Sequence, residues 1–253
     1  MLHRHSGGLI RFGLHETEAA GTVQGTTVRG GDHRPLRALV PTVSAQLATV
    51  EEIMAERNLS VDHVTIWRWV QRYAPELNRR CRPELRNTNR SWRVDETYCR
   101  VAGKWTYLYR AVDSTGATID FLLSAKRDAA AAKRFLQKAL RSPGHPRPRV
   151  INVDGNPSYP KVITELKKTR ELGKRCRCRP VRYLNNIVEQ DHRAIKRRVR
   201  ASQGFRAFHS AWRMLQGIET MNMIRKGQVR WLPKNDIAGQ AAFIGRLFGL
   251  TTV

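Results

Sequence analysis

Acidic residues are scarce in this chain. Its 253 residues include 21 Asp and Glu against 46 Lys and Arg, which gives a formal net charge of +25. With so few carboxylates the protein cannot have the balanced surface charge of an ordinary soluble enzyme, and its positive field attracts polyanions. Binding to a nucleic acid is favoured further because each phosphate that a cation neutralises releases counterions. The composition therefore favours a nucleic acid as the partner.

Long apolar runs are also missing. No stretch approaches the ~18 consecutive apolar residues of a membrane-spanning helix, and the basic residues do not line one face of an otherwise apolar helix. The beginning of the chain lacks the apolar core of about 7–15 residues that a secretory signal needs. We therefore expect no membrane partner and a protein that stays in the cytoplasm.

Cysteines are few, and their spacing carries little information. Cys176 and Cys178 are separated by one residue, whereas zinc sites usually have about two to four residues between paired ligands. Free thiols in a reducing compartment are the default for such a pattern. The cysteines therefore favour free thiols over a zinc site.

The sequence pattern divides the chain into five segments. Residues 1–43 show neither a helical nor a strand period, and we predict an irregular or disordered segment there. The other predicted segments are a helix-turn-helix at 44–76, a basic linker at 77–90, an α/β core at 91–203, and a C-terminal helical segment and tail at 204–253.

Two short helices are predicted between residues 44 and 74. The apolar stripe of the first consists of Leu47, Val50, Ile53 and Met54, and that of the second of Val64, Trp67, Val70 and Tyr73. Ser60 or Asp62 can cap the second helix, which Pro75 should end. Two such helices, the second bearing basic residues, are typical of a helix-turn-helix that reads the major groove, although a plain helical hairpin fits the same pattern.

The order of predicted elements after residue 91 is β-β-β-α-β-α-β-α. The strands are predicted at 92–101, 105–112, 118–123, 150–154 and 180–183, and the helices at 128–140, 158–170 and from 186 onward. An antiparallel meander continued by parallel strands with crossover helices is typical of the ribonuclease-H-like fold. We therefore predict an α/β core with a mixed five-stranded sheet and flanking helices.

Two aspartates are predicted to meet in this fold. The first and fourth strands lie side by side, so Asp95 and Asp154 can face each other, and an acid that ends an apolar strand is a common active-site position in open sheets. Asp95 has rivals, since Glu96 should point to the opposite face of its strand and Asp113 and Asp120 lie in or near the meander. Each of these acids could instead be a solvated surface residue.

Glu189 opens the predicted last helix of the core, and two roles fit it. With Asn186 as N-cap, Glu189 occupies the third helical position, which is the spacing of a purely structural capping box. The apolar stripe of the helix consists of Val188, Ile195 and Val199. Glu189 and Lys196 lie at the edge of that stripe and should face the rim of the sheet, where Asp95 and Asp154 emerge.

Three converging carboxylates can hold two Mg²⁺ ions, which prefer oxygen ligands, whereas without cations the three acids would repel one another. Residues 161–200 contain 14 Lys or Arg against four Asp or Glu. Such a charge run is usually a solvated face, but this one adjoins the predicted metal site. We expect it to hold DNA phosphates there.

The motifs V-D-E-T-Y, N-V-D-G, Y-L-N-N-I-V-E-Q-D-H-R-A-I-K-R and I-R-K-G-Q resemble those of the IS-six family of bacterial insertion-sequence transposases, over about residues 50–253. In this pattern 34 residues separate Asp154 from Glu189, and Lys196 follows Glu189 by seven positions. The resemblance implies an Asp-Asp-Glu transposase that cleaves and transfers DNA strands. Asp95, Asp154 and Glu189 would be its catalytic metal ligands, with two Mg²⁺ ions, or Mn²⁺ as a substitute.

The resemblance also implies partners. Double-stranded DNA, as terminal inverted repeats and as target, would be bound in the bacterial nucleoid, and pairing of two ends implies a homodimer. The residues expected to contact DNA are Lys196, His192, Arg193, Arg197, Arg68 and Arg72. Residues 1–48 depart from the basic helical entry of the family. This departure makes an impaired copy that only binds DNA one alternative, and a related nuclease that only hydrolyses DNA is another.

Overall fold

The computed structural model describes residues 58–201 and 205–250, together with residues 52 and 54–56. Three predictions concern residues outside this described part. They are the irregular segment at 1–43, most of the first helix of the helix-turn-helix, and the departure from the family at 1–48. No helix of the described part of the chain is both long enough and apolar enough to cross a membrane.

A five-stranded mixed sheet forms the centre of the molecule. Its strands are β1 (Ser91–Val101), β2 (Lys104–Asp113), β3 (Thr118–Ser124), β4 (Val150–Val153) and β5 (Arg177–Pro180). The spatial order is β3-β2-β1-β4-β5, in which β1, β2 and β3 are antiparallel and β4 and β5 run parallel to β1. This arrangement confirms the predicted ribonuclease-H-like fold.

Helices cover both faces of the sheet. They are α1 (His63–Cys81), α2 (Ala129–Arg141), α3 (Ser158–Lys168), α4 (Asn186–Ala201), α5 (Phe208–Arg225) and α6 (Ile237–Leu247). On one face α2 and α3 build a core around the buried Trp92, Tyr109 and Phe135. On the other face α4 and α5 pack Ile195 and Leu215 onto the sheet. Burying apolar surface on both sides fixes the sheet between the helix layers.

The structure corrects the prediction for α1, which does not end at Pro75 but continues to Cys81. The buried stripe consists of Ile66, Ala74, Leu77 and Cys81. Ala74 packs against α5, where a Cβ built on Gly217 would lie 2.8 Å from the Cβ of Ala74. Packing against α5 outweighs the loss of one helical hydrogen bond at Pro75. The predicted apolar stripe was therefore wrong, because Val64, Trp67 and Tyr73 are exposed.

The predicted basic linker at 77–90 is also structured, and the predicted boundary at residue 76 lies inside α1. Residues Arg82–Glu84 form a 3₁₀ turn. The Arg82 guanidinium lies 2.7 Å from the carboxylate of Asp120 and donates to the carbonyl of Ile119 at 2.9 Å. These contacts attach the segment to β3, because a nearly buried arginine needs its partners.

The fifth strand lies three residues earlier than predicted. Its parallel register with β4 runs from Val150 and Arg177 to Val153 and Pro180. The ladder stops at Pro180, which has no N–H to donate. Residues Arg182–Asn185, of which the first two were predicted as strand, form a 3₁₀ turn that leads into α4.

Candidate active site where β4 ends beside β1

Asp95 and Asp154 lie beside each other at the rim of the sheet. Val94 of β1 is in register with Val153 of β4, so the next residue of each chain segment is one of the two aspartates. Asp95 is nearly buried, and its Oδ1 accepts a hydrogen bond from the backbone N–H of Glu96 at 2.8 Å. The Asp154 carboxylate is partly exposed and accepts from the N–H of Asn156 at 3.1 Å. The predicted juxtaposition is confirmed.

Glu96 joins these aspartates, which corrects the expectation that it points away from them to the opposite face of its strand. Carboxylate oxygens of Asp95, Glu96 and Asp154 all lie within 4.8 Å of one another. One oxygen of Glu96 accepts from Asn156 at 2.7 Å and from Arg127 at 3.1 Å. The other, Oε2, is buried and has no hydrogen-bond partner among the described residues. Since a buried carboxylate oxygen is costly without a partner, this cluster suits a divalent cation.

Crowding of the acids changes the titration of Asp95. Burial raises the pKa of Asp95 to about 7; the hydrogen bond from the Glu96 backbone lowers it, and the negative charges of Asp154, Glu96 and Glu189 raise it further. A bound cation would reverse this effect, since an opposite charge nearby favours the ionised carboxylate.

Glu189 lies in the first turn of α4, with an exposed side chain. It is outside the group whose oxygens lie within 4.8 Å, yet it is close enough for its charge to raise the pKa of Asp95. The start of α4 is held against β1 because the Asn185 amide donates to the carbonyl of Val94 at 3.2 Å. Arg93 Nε donates to the carbonyl of Leu184 at 2.7 Å. Glu189 is thus presented at the rim where Asp95 emerges.

The structure corrects the expectation that His192 contacts DNA. Its ring is 4% exposed, and Nδ1 lies 3.6 Å from Oδ2 of Asp95. Burial, with the cations of Arg110 and Lys196 nearby, lowers the pKa of His192 to about 2, so the ring is neutral and forms no ion pair with Asp95. Its position, four residues after the buried Val188, places it on the apolar stripe of α4. That spacing was a readable signal.

A buried ionic network fixes α4 to the sheet. Arg110 of β2, fully buried, donates to Glu219 of α5 at 2.6 and 2.9 Å and to Asp191 of α4 at 2.8 Å. Lys226 lies 2.8 Å from the same Asp191 carboxylate. Burial alone would raise the pKa of Asp191, but Arg110 and Lys226 outweigh it and hold the pKa below its ordinary value. No local sequence pattern indicates this network, because it joins three distant elements.

Asp113 and Asp120, the other rivals of Asp95, are structural and buried. Asp113 closes the turn between β2 and β3 by accepting from the N–H groups of Thr115 and Ala117 at 2.9 and 3.0 Å. Asp120 is paired with Arg82 and Lys138. Neither is a solvated surface acid.

The remaining basic residues expected to contact DNA are accessible to varying degrees. Arg193 and Arg197 are exposed on α4, and Arg68 and Arg72 are exposed on α1. Lys196 is half-buried, with its Nζ 4.9 Å from the ring centroid of Tyr98. The four arginines therefore project into solvent, two from α1 and two from α4.

Sequence reasoning missed two residues of the site, Arg127 and Asn156. Arg127 precedes α2, and its guanidinium lies 3.8 Å from the Asp154 carboxylate as well as contacting Glu96. Asn156 follows Asp154 by two positions, and its side chain holds Glu96 in place. The position of Asn156, two residues after a strand-ending aspartate, is a signal that the sequence offers, whereas the contact of Arg127 depends on the fold.

Comparisons with known proteins agree with this geometry. A family model described as a DDE domain matches residues 89–228, which is more than half of the chain. The transposase for the insertion sequence-like element IS431mec of Staphylococcus aureus is 37% identical over 183 residues, 72% of this chain and 79% of the relative. The transposase for the insertion sequence element IS257 in transposon Tn4003, also from Staphylococcus aureus, shows the same identity and coverage.

Solved structures with a similar arrangement include two retroviral proteins. The integrase catalytic core domain of HTLV-2, in complex with magnesium, is 18% identical with a TM-score of 0.42, over 57% of this chain and 95% of that one. The catalytic core domain of BIV integrase is 16% identical with a TM-score of 0.42, over 62% and 98% of the two chains. On the family match and the identity to the staphylococcal relatives, the chain belongs to the IS-six family of insertion-sequence transposases with a DDE domain.

Proposed function

We propose that this transposase cleaves and joins DNA strands with Asp95, Asp154 and Glu189 as its catalytic metal ligands. The observation that carries the proposal is the placement of Asp95, within β1, beside Asp154, which directly follows the end of β4, with both within reach of the Glu189 charge. Two Mg²⁺ ions, or Mn²⁺ in their place, would activate the attacking oxygen and stabilise the leaving one. Glu96, whose Oε2 has no hydrogen-bond partner among the described residues, would offer a further carboxylate oxygen to the same cation site.

The side chains around the carboxylates have separate tasks in this proposal. The ring of His192 lies beside the Asp95 carboxylate and, because it is neutral, does not compensate the charge of that carboxylate. The network of Arg110, Asp191 and Glu219 keeps α4, and with it Glu189, at the rim of the sheet. Arg193 and Arg197 are exposed on the same helix and would hold phosphates of the DNA backbone.

The reaction has two steps on one site. Water attacks the phosphorus at the end of the element, the bond to the 3′ oxygen breaks, and that oxygen takes a proton to become a free 3′-hydroxyl. The hydroxyl then attacks a phosphodiester of the target, whose own 3′ oxygen leaves. Neither step joins DNA covalently to the protein.

Glu189→Gln tests the assignment. The amide keeps the length and shape of the side chain but removes the charge that holds a cation, so strand transfer should collapse while DNA binding persists. Asp95→Asn and Asp154→Asn should behave alike. Glu165→Gln, an exposed carboxylate of α3 that pairs with Lys133, is the matched control. The assay follows labelled element ends joined to plasmid with Mg²⁺, with Mn²⁺ and with chelator.

Near-normal strand transfer by Glu189→Gln protein would overturn the role of Glu189 and leave it an exposed residue of the first turn of α4. A wild-type chain that binds DNA but never cleaves it would support the impaired copy instead. An enzyme that cleaves but never joins would support a nuclease.

DNA binding and assembly are the remaining parts of the proposal. Terminal inverted repeats would be bound by the helix-turn-helix that contains α1, where Arg68 and Arg72 are exposed, and target DNA would lie across α4. Lys196→Ala should weaken DNA binding and leave metal binding intact. A homodimer would bring two element ends together, and light scattering of the protein with and without terminal-repeat DNA measures it. A monomer in both states would refute the dimer.

A further inference from the structure

The hairpin of β1 and β2 carries two large aromatic side chains in water. Tyr98 is 54% exposed and Trp105 is 50% exposed. Their rings meet edge to face with centroids 5.0 Å apart. A tryptophan and a tyrosine that each leave about half of their surface in water form an exposed apolar patch of the kind that marks a binding surface.

A cation lies over each ring of this pair. The Arg100 guanidinium is 4.7 Å from the centroid of Trp105, and the Lys196 ammonium is 4.9 Å from that of Tyr98. The four side chains therefore form a row, cation–ring–ring–cation, which we name the hairpin row. Cation–π contacts hold the rings in place, and both cations remain able to pair with an anion.

The hairpin row adjoins the acid cluster. Tyr98 follows Glu96, a member of the acid cluster, by two residues of β1, so the two side chains lie on the same face of the strand about 7 Å apart. Lys196 follows Glu189 by seven residues of α4, which is about 10 Å along a helix. A DNA strand whose phosphate lies at the carboxylates therefore reaches the row within a few nucleotides.

We propose that the hairpin row binds unpaired bases of a DNA strand beside the cleavage site. The inference rests on the proposed DNA cleavage and goes beyond it by assigning a subsite to Tyr98, Trp105 and Arg100. Ring faces stack on any base, and flanking cations pair with the phosphates on either side of it, which is how sequence-tolerant single-strand sites are built. In a duplex the bases are stacked on one another, so their faces are not accessible to Tyr98 and Trp105 and only the backbone can be contacted.

A purely structural role for the rings, or a contact between two protein molecules, predicts different outcomes. A cross-strand aromatic pair stabilises a hairpin by itself, in which case its loss changes stability but no DNA preference. A contact between two copies of the chain would bury the same rings, in which case their loss changes the oligomeric state without DNA.

The test compares a blunt duplex with the same duplex carrying a short single-stranded overhang. Fluorescence anisotropy in the presence of chelator measures binding to both without cleavage. Wild-type protein should prefer the overhang, and Trp105→Ala should lose at least about fivefold of its affinity for the overhang while binding the blunt duplex within about twofold of wild type. Trp105→Phe keeps a ring and should retain most of the preference.

Trp231→Ala is the matched control, because Trp231 is 56% exposed with Arg230 and Arg246 over its ring but lies between α5 and α6. It should leave the overhang preference unchanged. Trp105→Ala should also leave the salt dependence of blunt-duplex binding unchanged, whereas Arg100→Ala should reduce its slope.

Equal affinity of wild-type protein for blunt and overhanging duplexes overturns the inference, as does a Trp105→Ala variant that retains the preference. A Trp105→Ala variant whose oligomeric state changes in the absence of DNA assigns the rings to a protein contact and overturns it too. If the chain binds neither duplex, the proposed DNA function fails with it. Failure of strand transfer alone, with the overhang preference intact, overturns only the catalytic proposal.

Discussion

The titration of Asp95 should be visible in the stability of the metal-free protein. Burial and the neighbouring acids raise its pKa from the ordinary 3.8 to about 7. The folded state therefore binds the Asp95 proton more tightly than the unfolded state between these two values. Because stability falls with pH wherever the native state binds more protons, the free energy of unfolding should decrease from about pH 4 to about pH 7 and then level off.

The size of the effect follows from the two pKa values. The difference between 3.8 and about 7, at roughly 1.4 kcal/mol for each pH unit, corresponds to about 4 kcal/mol. Asp95 is only 8% exposed, so solvent screens this charge weakly. Asp95→Asn removes the titrating group and should remove this part of the pH dependence while keeping the shape of the side chain.

Urea unfolding of both proteins, followed by tryptophan fluorescence in chelator at several pH values from about 4 to about 8, measures the difference. Wild type should lose about 4 kcal/mol relative to Asp95→Asn as the pH rises across this window. Adding Mg²⁺ at about pH 8 should stabilise wild type and have less effect on the variant, because only a ligand that binds the folded state shifts the equilibrium. Parallel pH profiles for the two proteins would refute the reasoning.

Three further predictions concern the packing and the charge. Arg110→Met leaves Glu219 buried and unpaired, so the free energy of unfolding should fall by about 3–5 kcal/mol in urea denaturation, and Glu219→Met in the same chain should restore most of it. Gly217→Ala places a methyl group 2.8 Å from Ala74 and should cost ~1–3 kcal/mol by thermal unfolding, whereas Gly173→Ala, with nothing within 4 Å, should cost less than ~0.5 kcal/mol. Affinity for random duplex DNA, measured by anisotropy, should fall by ~10³ or more between about 50 and 200 mM salt, and a flat response would contradict a phosphate-dominated contact.

Local pattern was enough to predict the sheet. The strands β1 to β4 each carry their own signal, and the position of Asp95 next to Asp154 follows from strand order alone. The position of β5 failed because its residues, Arg177–Pro180, have neither alternation nor apolar side chains, and pairing with β4 selects them. A strand that forms because of pairing with its neighbour need not have a strand pattern in its own sequence.

The errors in α1 and α4 have a different cause. Pro75 is a local stop signal, but Ala74 and Leu77 are buried against α5, more than 130 positions away in the chain, and that packing carries the helix past the proline. His192 looks like a DNA contact within a basic run, yet its spacing from Val188 places it in the core. In both helices long-range burial outweighed a local rule.

The scarcity of acids makes their placement in the structure informative. In a chain with 46 basic residues against 21 acidic ones, cations are available to pair with buried carboxylates. Asp120 and Asp191 do so, each held by two basic side chains. Among the described residues, no Lys or Arg forms an ion pair with Asp95, whose near neighbours are a neutral imidazole and other acids.

Keeping Asp95 away from the abundant guanidinium groups costs stability, as its raised pKa shows. Arg127 comes nearest to the cluster, but it contacts Glu96 and Asp154 from a half-exposed position and leaves Asp95 unpaired. A fold that tolerates such an unneutralised carboxylate gains from it only when a cation from solution completes the site. The lack of a basic partner for Asp95 among the described residues, in a protein with so many basic side chains, is therefore the strongest physical reason to place a metal ion there.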